Sequence, residues 1–363
     1  MAALLPQTAS AHALLLQSDP SPGAVLTLPP AAVTLIFTEP VTPAGAGIKV
    51  YSPSGRQVAA PSISTGSALS ATLRATENGS YVVTWQVIAQ DTHPSRGTFG
   101  FSVGVPSGNP YSQLLNDGDI GTATPAGLVL QALARWVHFA GFALAFGVTA
   151  YLALIRRVLT SPRLVALGVI LLVVAEPLAL VAQLASLSFD GDTVIALLGS
   201  NFGRLLGLRL AAAVMAWTLM PTRNSSGLLA IGALVALLDG ASAHSIPSLL
   251  LAGQLLASVH VAAMGLWVGG LVAYVRWPDP RFAHYALWTL AGTVGTGALL
   301  AFAHTGFAAS VLATDYGVAL IVKVLVVAAT LMMVLLRRRR LELGLMAVAI
   351  VVATALAALP PPR

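Results

Sequence analysis

Residues 80–88 read Ser-Tyr-Val-Val-Thr-Trp-Gln-Val-Ile. Tyr81, Val83, Trp85 and Val87 alternate with Val82, Thr84 and Gln86, so an extended segment here presents an apolar, aromatic face. A period of two in β-branched and aromatic residues marks a strand with one face on a core. Residues 33–38 (Val-Thr-Leu-Ile-Phe-Thr), 47–51, 69–73 and 97–103 read the same way, separated by turn signals such as Pro53-Ser54-Gly55 and Glu77-Asn78-Gly79. Five to seven short strands in about 90 residues predict a small antiparallel sandwich or Greek-key barrel.

The rest of the 363-residue chain has a different composition. Overall 56% of residues are hydrophobic and 9% charged, with a mean hydropathy of +0.83. The Ser, Thr, Pro and Gly that enrich residues 12–104 give way after Leu128 to Leu, Ala, Val and Gly. Two domains are expected, one in water and one in lipid. A polar stretch at 105–127, holding Pro106, Gly108, Pro110, Asp117, Asp119 and Pro125, reads as the linker between them.

Eight apolar spans follow, at about 128–155, 164–188, 203–220, 226–243, 249–275, 283–307, 316–336 and 341–359. With the first domain outside the cell, the inner loops hold Arg156, Arg157 and Arg163, then Arg223, then Arg276 and Arg281, then Arg337 to Arg340. The outer loops hold Asp190, Asp192 and Asp315. Ten of the nineteen basic residues therefore follow the positive-inside rule. The formal charge of +6 is spent on topology, and no nucleic-acid partner is expected. The expected location is the plasma membrane, multi-pass, with the N-terminal domain extracytoplasmic and the C-terminus also outside.

With no cysteine, metal chemistry must rest on His, Asp, Glu and Met. His12 follows Ala9-Ser10-Ala11, a triplet of the kind signal peptidase cuts after, which makes residues 1–11 a signal-peptide remnant. A terminal histidine offers its α-amine and Nδ1 to one ion. Asp91 and His93, two apart on an extended strand, point the same way and supply further ligands. Two imidazoles, an amine and a carboxylate suit tetragonal copper(II), with zinc second. Otherwise His12 belongs to a frayed start, and Asp91 and His93 cap a turn before Pro94. Met1 to Ala11 has no basic n-region and only a short apolar stretch, so either translation starts upstream or the segment stays and the amine is not freed.

These residues resemble a known family. His12-Ala13 with Ser18-x-Pro20, Phe37-Thr38-Glu39-Pro40-Val41, Gly79-x-Tyr81-x-Val83-x-Trp85 and Asp91-x-His93-Pro94-x-x-Gly97-x-Phe99-x-Phe101 look like the CopC-type periplasmic copper-binding proteins. The resemblance covers residues 12–104. It implies a cupredoxin-like or immunoglobulin-like Greek-key β-sandwich holding copper(II) through His12, Asp91 and His93. Glu39 matches a family carboxylate near that site, or serves only as a strand-end residue before Pro40. Some members carry a methionine-rich loop for copper(I). Residues 2–127 here contain no methionine, so one copper(II) site and no soluble copper(I) site is expected.

Ionisable groups inside spans are costly and mark function. His138, Glu176 and His260 fall near mid-depth, while Asp239, His244, His304 and Lys323 fall in the outer third or at the outer mouth. Met264, one turn from His260, adds a soft ligand for copper(I). Each of these residues can also be purely structural. A lone histidine can hydrogen-bond across a helix pair, and Glu176 with Lys323 can form a structural ion pair. Arg204 and Arg209, at an outer helix start, are expected to meet headgroups or Asp190 and Asp192. His284 reads as interfacial, and Trp267-Val268-Gly269-Gly270 as a close helix contact.

His260 with Trp267-x-Gly269-Gly270, Arg281-Phe282, Ser242-Ala243-His244, Tyr316-Gly317 before Lys323, and Glu342 ahead of Pro360-Pro361-Pro362 look like the CopD-type copper-transport membrane proteins, over about 128–362. The fused order is similar to YcnJ-type copper importers of Gram-positive bacteria. Together the resemblances imply an all-β sandwich followed by an all-α bundle of about eight transmembrane helices, binding copper(II) outside and promoting its uptake. Copper ions, the bilayer and a copper chaperone are the implied partners. No Walker pattern is present, so neither primary pumping nor enzymatic activity is expected. The alternatives are a copper-sequestering resistance protein without transport, and a membrane redox protein with His138 and His260 as axial haem ligands.

Overall fold

The computed structural model describes residues 13–89, 94–115, 125–157, 162–243, 250–305, 314–336 and 339–358. The chain divides into two compact units. One holds the described residues of Ser10–Gly127 with Gln183–Arg204, and the other those of Leu128–Ala182 and Leu205–Arg363. The expected signal remnant, residues 1–11, lies outside the described residues.

The first unit is a sandwich of two four-stranded sheets. Its strands are β1 (Leu15–Asp19), β2 (Val25–Leu26), β3 (Ala32–Phe37), β4 (Val41–Tyr51), β5 (Ile63–Thr65), β6 (Ala68–Thr72), β7 (Gly79–Ala89) and β8 (Pro94–Val103). One sheet runs β1-β3-β6-β5 and the other β2-β8-β7-β4, with β2 parallel to β8 and every other pair antiparallel. Of the three strands absent from the sequence reading, β2 and β5 are three residues or shorter, and β1, Leu-Leu-Gln-Ser-Asp, carries no apolar alternation.

Tyr81, Val83, Trp85 and Val87 all point inward and are buried to 2% exposure or less. Trp85 meets Phe37 edge-on at 5.1 Å, and Tyr81 stacks on Phe101 at 5.0 Å. Trp85 lies opposite Gly97 on β8, where a Cβ would stand 2.6 Å from Trp85 Cζ2. Glycine is therefore the residue that admits the indole. The Tyr81 hydroxyl donates to the Glu77 carbonyl and accepts from the Glu77 amide, pinning the turn that enters β7.

Part of the expected linker belongs to this sandwich. Asn109 is buried and donates through Nδ2 to the carbonyls of Tyr51, Ser52 and Ser80 at 2.9 to 3.2 Å. Tyr111 stacks on Tyr51, and Thr98 donates to the Leu114 carbonyl from a 3-10 turn at Ser112–Leu115. The same unit includes a short helix that sequence reading missed, α4 (Gly191–Gly199). Asp190 caps it by accepting from the Thr193 amide, and its N-terminal turn sits against Gly45, in the bulge of β4 between Pro43 and Ile48.

The second unit is helical. It comprises α1 (Pro125–Phe142), α2 (Val148–Tyr151), α3 (Pro162–Ser186), α5 (Asn201–Leu219), α6 (Ser225–Ala241), α7 (Leu250–Arg276), α8 (Phe282–Thr305), α9 (Asp315–Leu335) and α10 (Arg339–Ala358). Two π-helical segments, Ala143–Gly147 and Leu152–Arg156, flank α2, so α1 continues through them. Among the described residues six helices are long and apolar enough to cross a membrane: Ala126–Arg156, Arg163–Ser186, Asn201–Thr222, Leu251–Arg276, Phe282–Ala303 and Tyr316–Met333. The expected span at 226–243 forms a shorter apolar helix, Ser225–Ala241. The expected last span forms α10, which begins with the charged Arg339, Arg340 and Glu342.

Glycines set the contact of the first helix with α7. A Cβ at Gly269 would strike the Ala143 carbonyl, and one at Gly147 would strike that of Gly265. Backbone thus meets backbone beside the first π segment.

Candidate functional site

The expected copper ligands His12, Asp91 and His93 lie outside the described residues. Their described neighbours converge. The Thr38 amide donates to the Leu14 carbonyl and the Leu14 amide to Thr38 Oγ1, both at 3.0 Å, which ties the start of β1 to the β3–β4 crossover. Val41, two residues after Glu39, pairs with Ala89 at the end of β7, and Pro94 at the start of β8 pairs with Ile88. Ala13, Glu39, Ala89 and Pro94 therefore mark one end of the sandwich. Ala13 is fully buried and Glu39 partly so. No thiol or thioether occurs anywhere in residues 2–127, so donors at this end are oxygen and nitrogen, a set that fits copper(II).

In the helical unit, four helices each contribute one residue to a buried cluster. His138 on α1 has Nδ1 3.2 Å from Glu176 Oε1 on α3 and Nε2 3.0 Å from Asp239 Oδ2 on α6. Arg209 on α5 donates from Nε to Glu176 Oε2 at 3.2 Å and from Nη1 to Asp239 Oδ1 and Ser242 Oγ, both at 3.4 Å. Three of the residues picked out by their cost in lipid thus meet at one point.

Several sequence-based expectations are corrected here. Arg209 was expected at headgroups or near Asp190 and Asp192. Instead it lies eight residues into α5, about 12 Å along the axis, turned toward two carboxylates that need a countercharge. Arg204 donates to Asn201 Oδ1 rather than to either aspartate. Glu176 pairs with His138 and Arg209, not with Lys323, which makes no ion pair among the described residues. One imidazole touches both Glu176 and Asp239, so these lie at one level of the bundle rather than at mid-depth and in the outer third. A His138–His260 haem pair is not formed, because carboxylates occupy both nitrogens of His138.

His260 on α7 stands apart from this cluster. Its Nδ1 lies 2.9 Å from Thr296 Oγ1 on α8, and Thr296 itself donates to the Gly292 carbonyl. The hydroxyl hydrogen being engaged, Thr296 accepts from Nδ1–H, and Nε2 keeps its lone pair. Met264 follows one turn along α7. His304 lies on α8 and Lys323 on α9. His244 and the side chain of His304 are outside the described residues, and His284 is exposed at the start of α8. Among the described residues, no group of three or more His, Asp or Glu is placed to hold a metal ion.

Thr296 is the site residue that sequence reasoning did not name, while Arg209 was read as a headgroup or Asp190/Asp192 partner and Ser242 only as part of the Ser242-Ala243-His244 motif. Arg209 carried a signal: an arginine deep in an apolar helix needs a partner, and two carboxylates in other spans needed one too.

A two-sheet β-sandwich carried on the same chain as a membrane-type helical unit with a buried ionic cluster defines a class of two-domain, membrane-type proteins. The CopC domain matches residues 15–104. The copper resistance protein C of Xanthomonas campestris pv. juglandis is 32% identical over 112 residues, covering 28% of this chain and 87% of that protein. This chain belongs to the CopC family, with the family's domain at its N-terminus followed by a helical region. The copper transport protein CutJ of Bacillus subtilis (strain 168) is 26% identical over 358 residues. That likeness takes in 88% of this chain and 66% of CutJ, so the chain spans just under two thirds of its relative's length. Among solved structures, CopC from Methylosinus trichosporium OB3b shares 28% identity over 28% of this chain and 100% of that one, with a TM-score of 0.25. PcoC, a methionine-rich copper resistance protein from Escherichia coli, shares 27% identity over 26% of this chain and 99% of that one, with a TM-score of 0.24.

Proposed function

We propose that this protein captures copper(II) outside the cell with its sandwich and promotes copper uptake through its helices. The observation that carries this reading is the continuity of the match: one relative, itself named a copper transport protein, aligns with 88% of the chain and so takes in both units. His12, Asp91 and His93 hold the ion, with Glu39 as a nearby carboxylate at the end where their described neighbours converge. The arginine-rich loops keep their side of the membrane cytoplasmic and the sandwich outside. Within the helices His260 presents Nε2 and Met264 its thioether, a soft pair suited to copper(I). The Nδ1–H bond to Thr296 fixes the imidazole tautomer as metal-bound histidines require. From their places in the sequence His244, His304 and Lys323 are assigned to the outer part of that route, with the His138–Glu176–Asp239 cluster a separate polar group in the same helices. A chaperone that delivers copper to the sandwich or receives it inside is part of this reading.

Copper accumulation in cells grown at limiting copper tests the proposal. Deletion of the gene should lower accumulation, and the wild-type chain should restore it while His12→Ala and His260→Ala should not. Unchanged accumulation on deletion rules out transport.

A second reading, sequestration outside the cell, is favoured by the name of the second relative, a copper resistance protein matched only to the sandwich. It requires that His12→Ala raise copper sensitivity and that His260→Ala leave it unchanged.

A further inference from the structure

The buried cluster in the helices closes on itself. Each carboxylate gives one oxygen to His138 and the other to Arg209, so the contacts run His138, Glu176, Arg209, Asp239 and back to His138. Ionised carboxylates only accept hydrogen bonds, whereas a neutral imidazole has one N–H and one lone pair. Both nitrogens of His138 face a carboxylate oxygen, at 3.2 and 3.0 Å. A neutral imidazole between two ionised carboxylates would set a lone pair against a lone pair on one side. The geometry requires a proton in each gap, and with both present the ring sums to zero charge.

Resting on the transport reading above, we infer that this ring is a proton-carrying site that exchanges one proton against one positive charge of cargo. The exchangeable proton is shared among His138, Glu176 and Asp239, while Arg209 is the fixed countercharge. When the proton leaves for the aqueous side, the ring passes from zero to one negative charge. Apolar surroundings tolerate that state only while a cation neutralises it. Return of the proton releases the cation; the exchange itself moves no electron, and copper(II) must first take one electron from an external reductant to become the singly charged copper(I) that one proton balances. His138 does not ligate copper in this arrangement, since both nitrogens are engaged.

Among the described residues, the charged groups that hydrogen-bond around the ring are these four. Ser242 donates to the Asp239 carbonyl, and Phe139 meets His138 edge-on at 5.6 Å. Arg135 stands one turn earlier on α1, and the contacts that close the ring do not involve it. From α7, Ser258 and the Gln254 carbonyl face α6 at Gly240, and the imidazole of α7, His260, is bonded to Thr296 instead.

The full-length chain, 15N-labelled at histidine and held in lipid without copper at about pH 8.5, tests the inference, because ordinary histidines are neutral there. One histidine should show both ring nitrogens protonated, or an infrared band of a protonated carboxyl should appear in its place. His138→Gln assigns that signature by removing it. In Asp239→Asn the guanidinium and Glu176 balance alone and the amide donates to Nε2, so the signature should vanish while the bonds remain. Absence of the signature in the wild type overturns the inference, as does its persistence in Asp239→Asn. If neither variant folds, the wild-type spectrum still decides.

The coupling is read separately, in proteoliposomes of the full-length chain given external copper(I), kept reduced by ascorbate, with a pH dye inside. Uptake should rise several-fold with an acidic lumen and should alkalinise it. Uptake indifferent to the pH gradient overturns the exchange and leaves transport standing. No uptake under any gradient removes the transport reading and the exchange with it, and the histidine spectrum then decides whether the ring carries a proton.

Discussion

Replacing Arg209 by methionine tests the buried ring most directly. The Arg209 side chain is 13% exposed and those of its partners Glu176 and Asp239 only 3% and 6%, so neither carboxylate turns to water when the guanidinium is lost. Arg209→Met leaves two carboxylates facing one protonated imidazole, a net negative charge inside the helices. Removing one partner of a buried ion pair destabilises by about 3–5 kcal/mol, and that is the expected loss. Asp239→Asn in the same chain restores neutrality, so the double variant should recover about 1.5–3 kcal/mol, the worth of a hydrogen bond to a charged group. Unfolding of the full chain in micelles with rising denaturing detergent, followed by near-ultraviolet circular dichroism, measures both. An Arg209→Met loss under about 1 kcal/mol, the range of exposed pairs, refutes the reasoning. So does additivity of the two substitutions to within about 0.5 kcal/mol.

Three further outcomes are expected. Gly97→Ala puts a methyl 2.6 Å from Trp85 Cζ2, so the sandwich should lose about 1–3 kcal/mol, read as faster hydrogen exchange in β7 and β8; unchanged protection would mean the indole has room to move. Asn109→Leu strips the buried carbonyls of Tyr51, Ser52 and Ser80 of a donor, which should cost about 1–3 kcal/mol and open residues 105–115 to proteolysis. Hydrogen bonds from Arg56 and then Ser54 hold the Glu77 carboxyl at about 2, below its ordinary 4.5. A lowered folded-state value gives stability that is present above about pH 4.5 and lost as pH falls toward 2. Glu77→Gln should therefore flatten the acid dependence of exchange in the sandwich, and an unaltered profile would show that the pair contributes nothing.

Local periodicity decided much of this protein. Alternation in residues 80–88 specifies β7 and its inward face, because side chains on a strand alternate whatever the strand pairs with. Long apolar runs specify the helices of the second unit for a similar reason, since in lipid a chain must satisfy its own backbone. The combined pattern of His12-Ala13 with Ser18-x-Pro20, Phe37 to Val41, Gly79-x-Tyr81-x-Val83-x-Trp85 and Asp91-x-His93-Pro94 through Phe101 pointed to the CopC family, whose domain matches residues 15–104.

What the sequence left open depends on contacts between distant residues. Glu176 and Asp239 are 63 positions apart, and no period or spacing says that one imidazole joins them or that Arg209 completes the ring. Asn109 looked like part of a linker because its three acceptors lie on or just past strands 29 or more residues away. Composition shows that a charge in lipid needs a partner. Only the packing of α1, α3, α5 and α6 decides which partner it has, because electrostatic pairing falls off with distance in space and is blind to distance along the chain.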